Sequence, residues 1–453
     1  MTRPQRSTVQ ARNWAAVQAD SVFVGIVTAA GTFLPVFLVR LGGSGTAVAL
    51  LTAIPALTAF ALAIPFGRWL QARRNIVPWY SALRMAAWLS YAVMALVAAL
   101  VPAATAVPAM LVVWAVASLP STAGLVAFPI VMDGAAGPDG RFDLLGRRWA
   151  IAGVSTSISV ALGGQLLNLL AFPMNFEVLL VAITLAGVGS FLLSRRIELA
   201  DQSRPTRPVG PTESRGPGPE GGRGREGWRG RGRWGWRGRA PRLGLADLRA
   251  LVVRHPAFIR YELRALVFGA GVAIAAPLLP LFYVNEVHAP DAWIGVIGSA
   301  QAAGGVLGYV AARRFALRRS GAGVLLPSLI AVAMVPVLLA LVGWLPVVAM
   351  LAFVYGLATA GAQLALFDQL MRRMPAEHGV TFSSVDQTVQ NVGLIVAPNL
   401  GGLLAATVGV RPGLVVAGCV IGLAFGWFAV DQDVGTRAPK LVAAVTSRRA
   451  GPR

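Results

Sequence analysis

Residues 46–74 read TAVALLTAIPALTAFALAIPFGRWLQARR: an uncharged apolar run at 46–66, then Arg68, Arg73 and Arg74. A run of about twenty apolar residues crosses a bilayer as a helix, and arginines gathered at one end mark its cytoplasmic side. The unit repeats along the chain. Spans are expected at 15–39, 46–66, 78–100, 106–132, 149–171, 177–194, 257–284, 293–312, 322–343, 347–370, 381–407 and 412–430.

The connections between them fall into two sets. One set carries Arg3, Arg6 and Arg12, then Arg68, Arg73 and Arg74, then Arg141, Arg147 and Arg148, and then the arginine-rich segment after the sixth span. It continues with Arg313, Arg314, Arg318 and Arg319, with Arg372 and Arg373, and with Arg437, Lys440, Arg448, Arg449 and Arg453, whereas the other set holds Arg40 and Arg411. The rich set is therefore expected to be cytoplasmic, with an even number of spans and both termini inside. The expectation is an all-α polytopic protein of the cell membrane.

Composition agrees, with 56% hydrophobic and 13% charged residues against about 25% charged in a soluble domain. A net charge of +21 would suggest nucleic acid in a soluble protein; here the cytoplasmic connections hold most of it, facing anionic headgroups. The single cysteine, Cys419, excludes an internal disulfide and a cysteine metal cluster. The first apolar run is too long for a signal peptide core and is read as retained.

The spans divide six and six. The expected order is a cytoplasmic tail at 1–14, a bundle at 15–194, a linker at 195–256, a second bundle at 257–430 and a tail at 431–453. Between Arg204 and Pro241 the linker is mostly Gly, Pro and Arg, too poor in apolar surface to offset the entropy of ordering. Its stretch GGRGREGWRGRGRWGWRGRAP, with Trp228, Trp234 and Trp236, has the composition of RNA-binding arginine–glycine segments. The preferred reading is a tether near anionic lipid, without a nucleic-acid partner. A short amphipathic helix on the membrane surface is expected at 243–253.

Traces of a repeat link the halves. Leu34-Pro35-Val36-Phe37 answers to Leu279-Pro280-Leu281-Phe282, Leu162-Gly163-Gly164 to Leu400-Gly401-Gly402, and Gly67 with Arg73 and Arg74 to Gly308 with Arg313 and Arg314. On this topology and repeat, residues 13–431 resemble the major facilitator superfamily of secondary transporters. The resemblance implies two pseudo-symmetric six-helix bundles around a central cavity.

The family's motif after its second helix is kept in part. Gly67 is present, while Gln71 and Ala72 stand where the family has an aspartate and a basic residue, with Arg73 and Arg74 following. Arg73 or Arg74 can still reach Asp133 as a clasp, or serve as ordinary topology charges. Two features of proton-coupled drug antiporters are missing: an arginine within the fourth span, and Gly-Pro-x-x-Gly-Gly in the fifth, where Ser159-Val160-Ala161-Leu162-Gly163-Gly164 stands. A similar string, Ala397-Pro398-Asn399-Leu400-Gly401-Gly402, occurs in the eleventh.

Charges inside spans cost about 2.5–3.5 kcal/mol each and persist where they face a cavity or a partner. They are Asp20, Arg84, Arg260, Glu262, Arg264, Asp368 and Asp386. Arg84 is expected to snorkel to the membrane edge. Arg148 and Asp386 each precede the first glycine of their Leu-Gly-Gly by fifteen residues, and Asp20 and Arg264 precede Pro35 and Pro280 by fifteen and sixteen. Arg148 with Asp386, and Asp20 with Arg264, are therefore candidate cytoplasmic latches of the outward-open state.

The resemblance implies a cavity lined by helices 1, 4, 7 and 10, which nominates Asp20, Glu262, Gln363 and Asp368 for substrate or proton coupling. Helix 11 adds a polar face of Asp386, Gln387, Gln390 and Asn391, open to either packing or substrate contact. No cofactor, metal or enzymatic role is expected, since His255, His288 and His378 stand in no ligand spacing. The expected function is alternating-access transport of a small amphipathic or hydrophobic solute by a monomer, with proton-coupled efflux as one form of it. The alternative is a non-transporting receptor or scaffold whose arginine-rich loop binds a cytoplasmic partner.

Overall fold

The computed structural model describes residues 8–71, 73, 75–137, 141–199, 254–318, 322–373 and 379–430. In hydrocarbon every backbone N–H and C=O must be satisfied within the segment, so the apolar runs become helices. Among the described residues twelve are long and apolar enough to cross a membrane, and no strand occurs. The remaining tail residues and the linker at 200–253, with its expected amphipathic helix, lie outside the described residues.

The first span, α1, is in two pieces, Thr8–Thr28 and Ala30–Arg40. The next five are α2 (Gly45–Gln71), α3 (Val77–Leu100), α4 (Ala103–Ala136), α5 (Arg141–Leu169) and α6 (Met174–Ser194). The second six are α7 (Pro256–Leu281, extended by a π-helical turn Phe282–Glu286), α8 (Asp291–Arg318), α9 (Ala322–Leu341), α10 (Leu345–Arg373), α11 (Gly379–Thr407) and α12 (Val410–Val430). Thr8 and Val430 thus share one face, the terminal face; the opposite one is the distal face.

The break in α1 is marked by tightened bonds, Ala29 N–H to the Ile26 carbonyl at 3.1 Å and Thr32 N–H to that of Ala29 at 3.0 Å. Pro35, which lacks an N–H and crowds the preceding turn, follows within two turns. At the terminal end of the first half, Trp14, Val17, Leu70, Tyr80, Val131, Leu144 and Ile197 form a separate apolar cluster. Asn13 pins it by bonding both backbone groups of Glu198, at 2.8 and 3.0 Å.

Within the halves α3 packs on α4 and α6, α1 on α5 and α6, α11 and α12 on α7, and α8 on α10. The halves meet mainly through α5 against α8 and α2 against α11, two contacts that the repeat makes equivalent.

The repeated Leu-Gly-Gly places these contacts. A Cβ added to Gly164 would lie 2.4 Å from Cα of Gly295, and one on Gly402 2.7 Å from the backbone of Gly45. Both crossings lie near the distal helix ends. The first glycine of each pair serves its own half: a Cβ on Gly163 would strike Phe33 of α1 at 2.7 Å, and one on Gly401 the Ile274 carbonyl of α7 at 2.2 Å. One three-residue pattern therefore seats α5 and α11 against their own bundles and lets each touch the opposite one.

Candidate functional site

Three polar clusters stand out against the apolar helices, one in each half toward the terminal face and one bridging the halves at the distal face.

In the first half, Asn13, Trp14, Val17, Asp20 and Ser21 are the buried face of α1, spaced at three and four residues so that they share one side. This turns Asp20 into the bundle. Its carboxylate accepts from Arg148 of α5 at 2.8 Å, from Arg84 of α3 at 3.2 Å and from the Ser190 hydroxyl of α6. Arg84 also donates to Ser190 Oγ at 2.8 Å. Its guanidinium lies over the Trp88 and Tyr80 rings at 4.4 and 4.9 Å, while that of Arg148 lies 5.3 Å from the Phe128 ring.

Arg148 reaches this site because α5 crosses α1 closely. Ser155 and Thr156 donate to the carbonyls of Val22 and Gly25, at 2.7 and 3.0 Å, two turns beyond Arg148 on the same helix. One carboxylate is thus shared by two guanidinium groups, leaving the cluster one positive charge. Arg84, expected to snorkel, is instead the inner partner of Asp20, with its side chain 10% exposed. Two cation–π faces and a carboxylate offset its desolvation.

In the second half Glu262 of α7 is buried. Asp386 and Gln390 of α11 lie beside it; Asp386 is also buried. Gln390 reaches α7 where Gly269 leaves room, its amide oxygen 3.1 Å from where a Cβ would stand. The adjacent Tyr261 donates its hydroxyl to the Leu366 carbonyl of α10 at 2.9 Å. Arg264, also buried, lies 5.7 Å from the rings of Trp427 and Phe428 on α12.

The distal cluster joins the halves. Arg40, the last residue of α1, donates to the Ala289 carbonyl at 2.7 Å and to Asp291, the first residue of α8, at 3.0 Å. Asn175 of α6 donates to the other oxygen of Asp291 at 3.3 Å and to the Leu167 carbonyl at 2.9 Å. An arginine at a helix C-terminus and an aspartate at a helix N-terminus are each favoured by the helix dipole.

Of the residues expected from sequence, Asp20 and Arg148 come together, and Glu262 with Asp386 and Gln390. The expected latch partners Arg148 and Asp386 are apart in this arrangement, each held by its own half; Asp20 likewise meets Arg84 and Arg148. Asp368 pairs with Arg372 one turn on, at 2.8 Å and half-exposed. Gln363 accepts from the Tyr309 hydroxyl of α8 at 2.8 Å. On α11, Gln387 is exposed and Gln390 and Asn391 are partly buried.

Arg73 lies over the rings of Trp69 and Trp79 at 4.9 and 4.7 Å, which turns it to the aromatic pair, while Asp133 is exposed near the end of α4. Arg74 lies outside the described residues. Ser190 and the Arg40–Asp291–Asn175 clasp escape a linear reading. The signal for the clasp is that Arg40 is one of two arginines in the charge-poor set of turns. Among the described residues no three His, Cys, Asp or Glu side chains are grouped to hold a metal.

The sequence model described as Major Facilitator Superfamily matches residues 21–398. No curated relative matches significantly. Among solved structures, a point mutant of the nucleoside transporter NupG superposes with a TM-score of 0.68 at 12% identity, covering 93% of this chain and 100% of that one. A bacterial metal transporter gives 0.63 at 13% identity, with 96% and 100% covered. A bacterial homologue of the human lysosomal transporter Spinster, inward-facing and unoccupied, gives 0.58 at 13% identity, with 94% and 97% covered.

Proposed function

Because this chain belongs to the major facilitator superfamily, we propose that it is a secondary transporter whose two halves rock about a central path, captured with the distal side closed. The family and the fold support transport as the activity. The observation that carries the rocking reading is the paired distal closure: Gly164 on Gly295 and Gly45 on Gly402, clasped by Arg40, Asp291 and Asn175. Close contacts between the bundles at one face are what an alternating-access protein must break as the other face closes.

On the arginine pattern we read the terminal face as cytoplasmic, which makes the closed distal face the outer one. Arg148 is held by Asp20 here; on terminal closure it exchanges Asp20 for Asp386, its repeat-related counterpart on α11. The scarcity of charged residues within the spans favours an amphipathic or hydrophobic solute, with export as the preferred direction. The structural neighbours carry a nucleoside and a metal by their descriptions, so the shared fold does not select the cargo.

The test is solute flux into reconstituted vesicles by a Ser44→Cys/Asn285→Cys protein in a Cys419→Ser background, its distal turns bridged by a bifunctional thiol reagent that contains a disulfide. Bridging should stop flux and reduction restore it. Equal flux in the cross-linked and reduced forms would contradict the reading. Removing residues 204–241 should leave flux intact.

A further inference from the structure

We propose that the Asp20–Arg84–Arg148 cluster and the groove between α1 and α5 that starts beside it bind an amphipathic organic anion, its charged head on the cluster and its apolar tail in the groove. This names the class of solute and rests on the transport reading above for its role, while the binding itself stands apart from it.

Two guanidinium groups share the single carboxylate of Asp20, and a charge buried without a counter-ion is costly. The carboxylate is fully engaged: one oxygen accepts from Ser190 and Arg84, the other from Arg148 and Arg84. Among the described residues Arg148 makes its bond through Nη1, whereas an arginine carries five N–H donors. The surplus charge and the further donors fit a carboxylate, sulfonate or phosphate group, which a guanidinium fork holds by charge-assisted bonds. The side chains of Arg148 and Arg84 are 5% and 10% exposed, so a head bound there is largely out of water, where such bonds are strongest.

The groove supplies the place for the tail. Its volume is about 600 Å³, and its walls include Val22 and Ile26 of α1 and Ile151, Val154, Ile158 and Leu162 of α5. Both walls begin at the cluster, since Val22 stands two residues beyond Asp20 and Ile151 three beyond Arg148. Arg148, Ile151, Ser155 and Leu162 recur at three, four and seven residues, which places them on one side of α5. Val154, Ile158 and Leu162 are half-exposed or more, while the Ser155 hydroxyl turns away to the Val22 carbonyl at 2.7 Å. From Ala150 to Leu162 the α5 wall runs about 18 Å.

A cationic head would meet the surplus positive charge, and a neutral amphiphile would leave it without a counter-ion. An inorganic anion suits the cluster and leaves the groove unused. An anionic phospholipid shares the head chemistry, but a groove of this size suits one short tail better than two long chains. A free amphipathic anion satisfies both parts.

Thermal unfolding of the purified protein in phosphatidylcholine nanodiscs tests this, with octane-1-sulfonate, whose charge is fixed, as the probe. Octanesulfonate should raise the midpoint saturably, and octyltrimethylammonium, octanol and methanesulfonate at the same concentration should not. Arg148→Gln leaves Asp20 and Arg84 as a balanced pair and should weaken octanesulfonate binding about tenfold or more, the loss of a charge-assisted bond. Arg148→Lys should recover part of it, and Ile158→Trp, at an exposed position, should weaken binding by filling the groove. Equal stabilisation by the cation or the alcohol, or binding unchanged in both Arg148→Gln and Ile158→Trp, would overturn the site. Equal stabilisation by methanesulfonate would overturn the role of the groove, and displacement of octanesulfonate by phosphatidylglycerol in the disc would make the occupant a lipid and overturn the solute assignment. If Arg148→Gln fails to insert, Ile158→Trp and the series of head groups decide. Saturable binding without uptake of octanesulfonate into vesicles would leave the site standing and count against the transport reading.

Discussion

Asp20 shows what one buried carboxylate does when it faces two arginines. Removing its charge in Asp20→Asn leaves Arg84 and Arg148 buried without a counter-ion, a change that costs about 3–5 kcal/mol. Ser190→Ala removes one charge-assisted bond and should cost about 1.5–3 kcal/mol. Unfolding of the two variants in micelles, read by loss of helix signal, checks both the size and the order. The same geometry complicates a charge swap of Arg148 and Asp386, because Asp at 148 would face Asp20. The swap should therefore restore cross-linking of the terminal ends only when Asp20→Asn is added, and restoration without it would contradict the partner exchange. The repeat brings Arg148 and Asp386 to notice, but Asp20 meets Arg84 across 64 positions of sequence and Arg148 across 128. No linear spacing encodes those distances, which is why Arg84 reads in sequence as a snorkelling side chain.

At the scale of elements, twelve helices are legible because the bilayer leaves an apolar run no other way to satisfy its backbone. Their interior geometry is less so: the break of α1 at Ala29 and the π-helical turn after Leu281 depend on packing around Pro35 and Pro280 as much as on the prolines. The Leu-Gly-Gly pairs are visible as a repeat, yet their role at both crossings appears only with the helices assembled. Gly295→Leu should wedge α5 from α8, since its Cβ would lie 2.5 Å from Cα of Gly164 and backbone cannot swing aside as a side chain can. We expect distal cysteines in this variant to react faster with a membrane-impermeant thiol reagent; an unchanged rate would show that the glycine contact does not hold the distal side shut. Arg40→Ala acts on the same closure more gently. Its partly buried pair is worth about 1 kcal/mol, roughly a fivefold shift toward the distal-open state, measured by the same labelling.

For the whole molecule, the two-bundle architecture and the family follow from the sequence, while the state of the path does not, because one sequence must support both states with a small free-energy gap. The repeat explains how: α5 and α11 occupy equivalent places, each seated on its own bundle and touching the other. The measurement that bears most directly on alternating access is a pair of spin-label distances taken on the same protein. One pair joins the distal turns at Ser44 and Asn285; the other joins the terminal ends at Arg147 and Arg372. Alternating access requires two exchanging populations in which the distal pair lengthens as the terminal pair shortens, with the distal-long population enlarged by Arg40→Ala. A single fixed distance at both faces in every condition, or two distances that lengthen together, would contradict it.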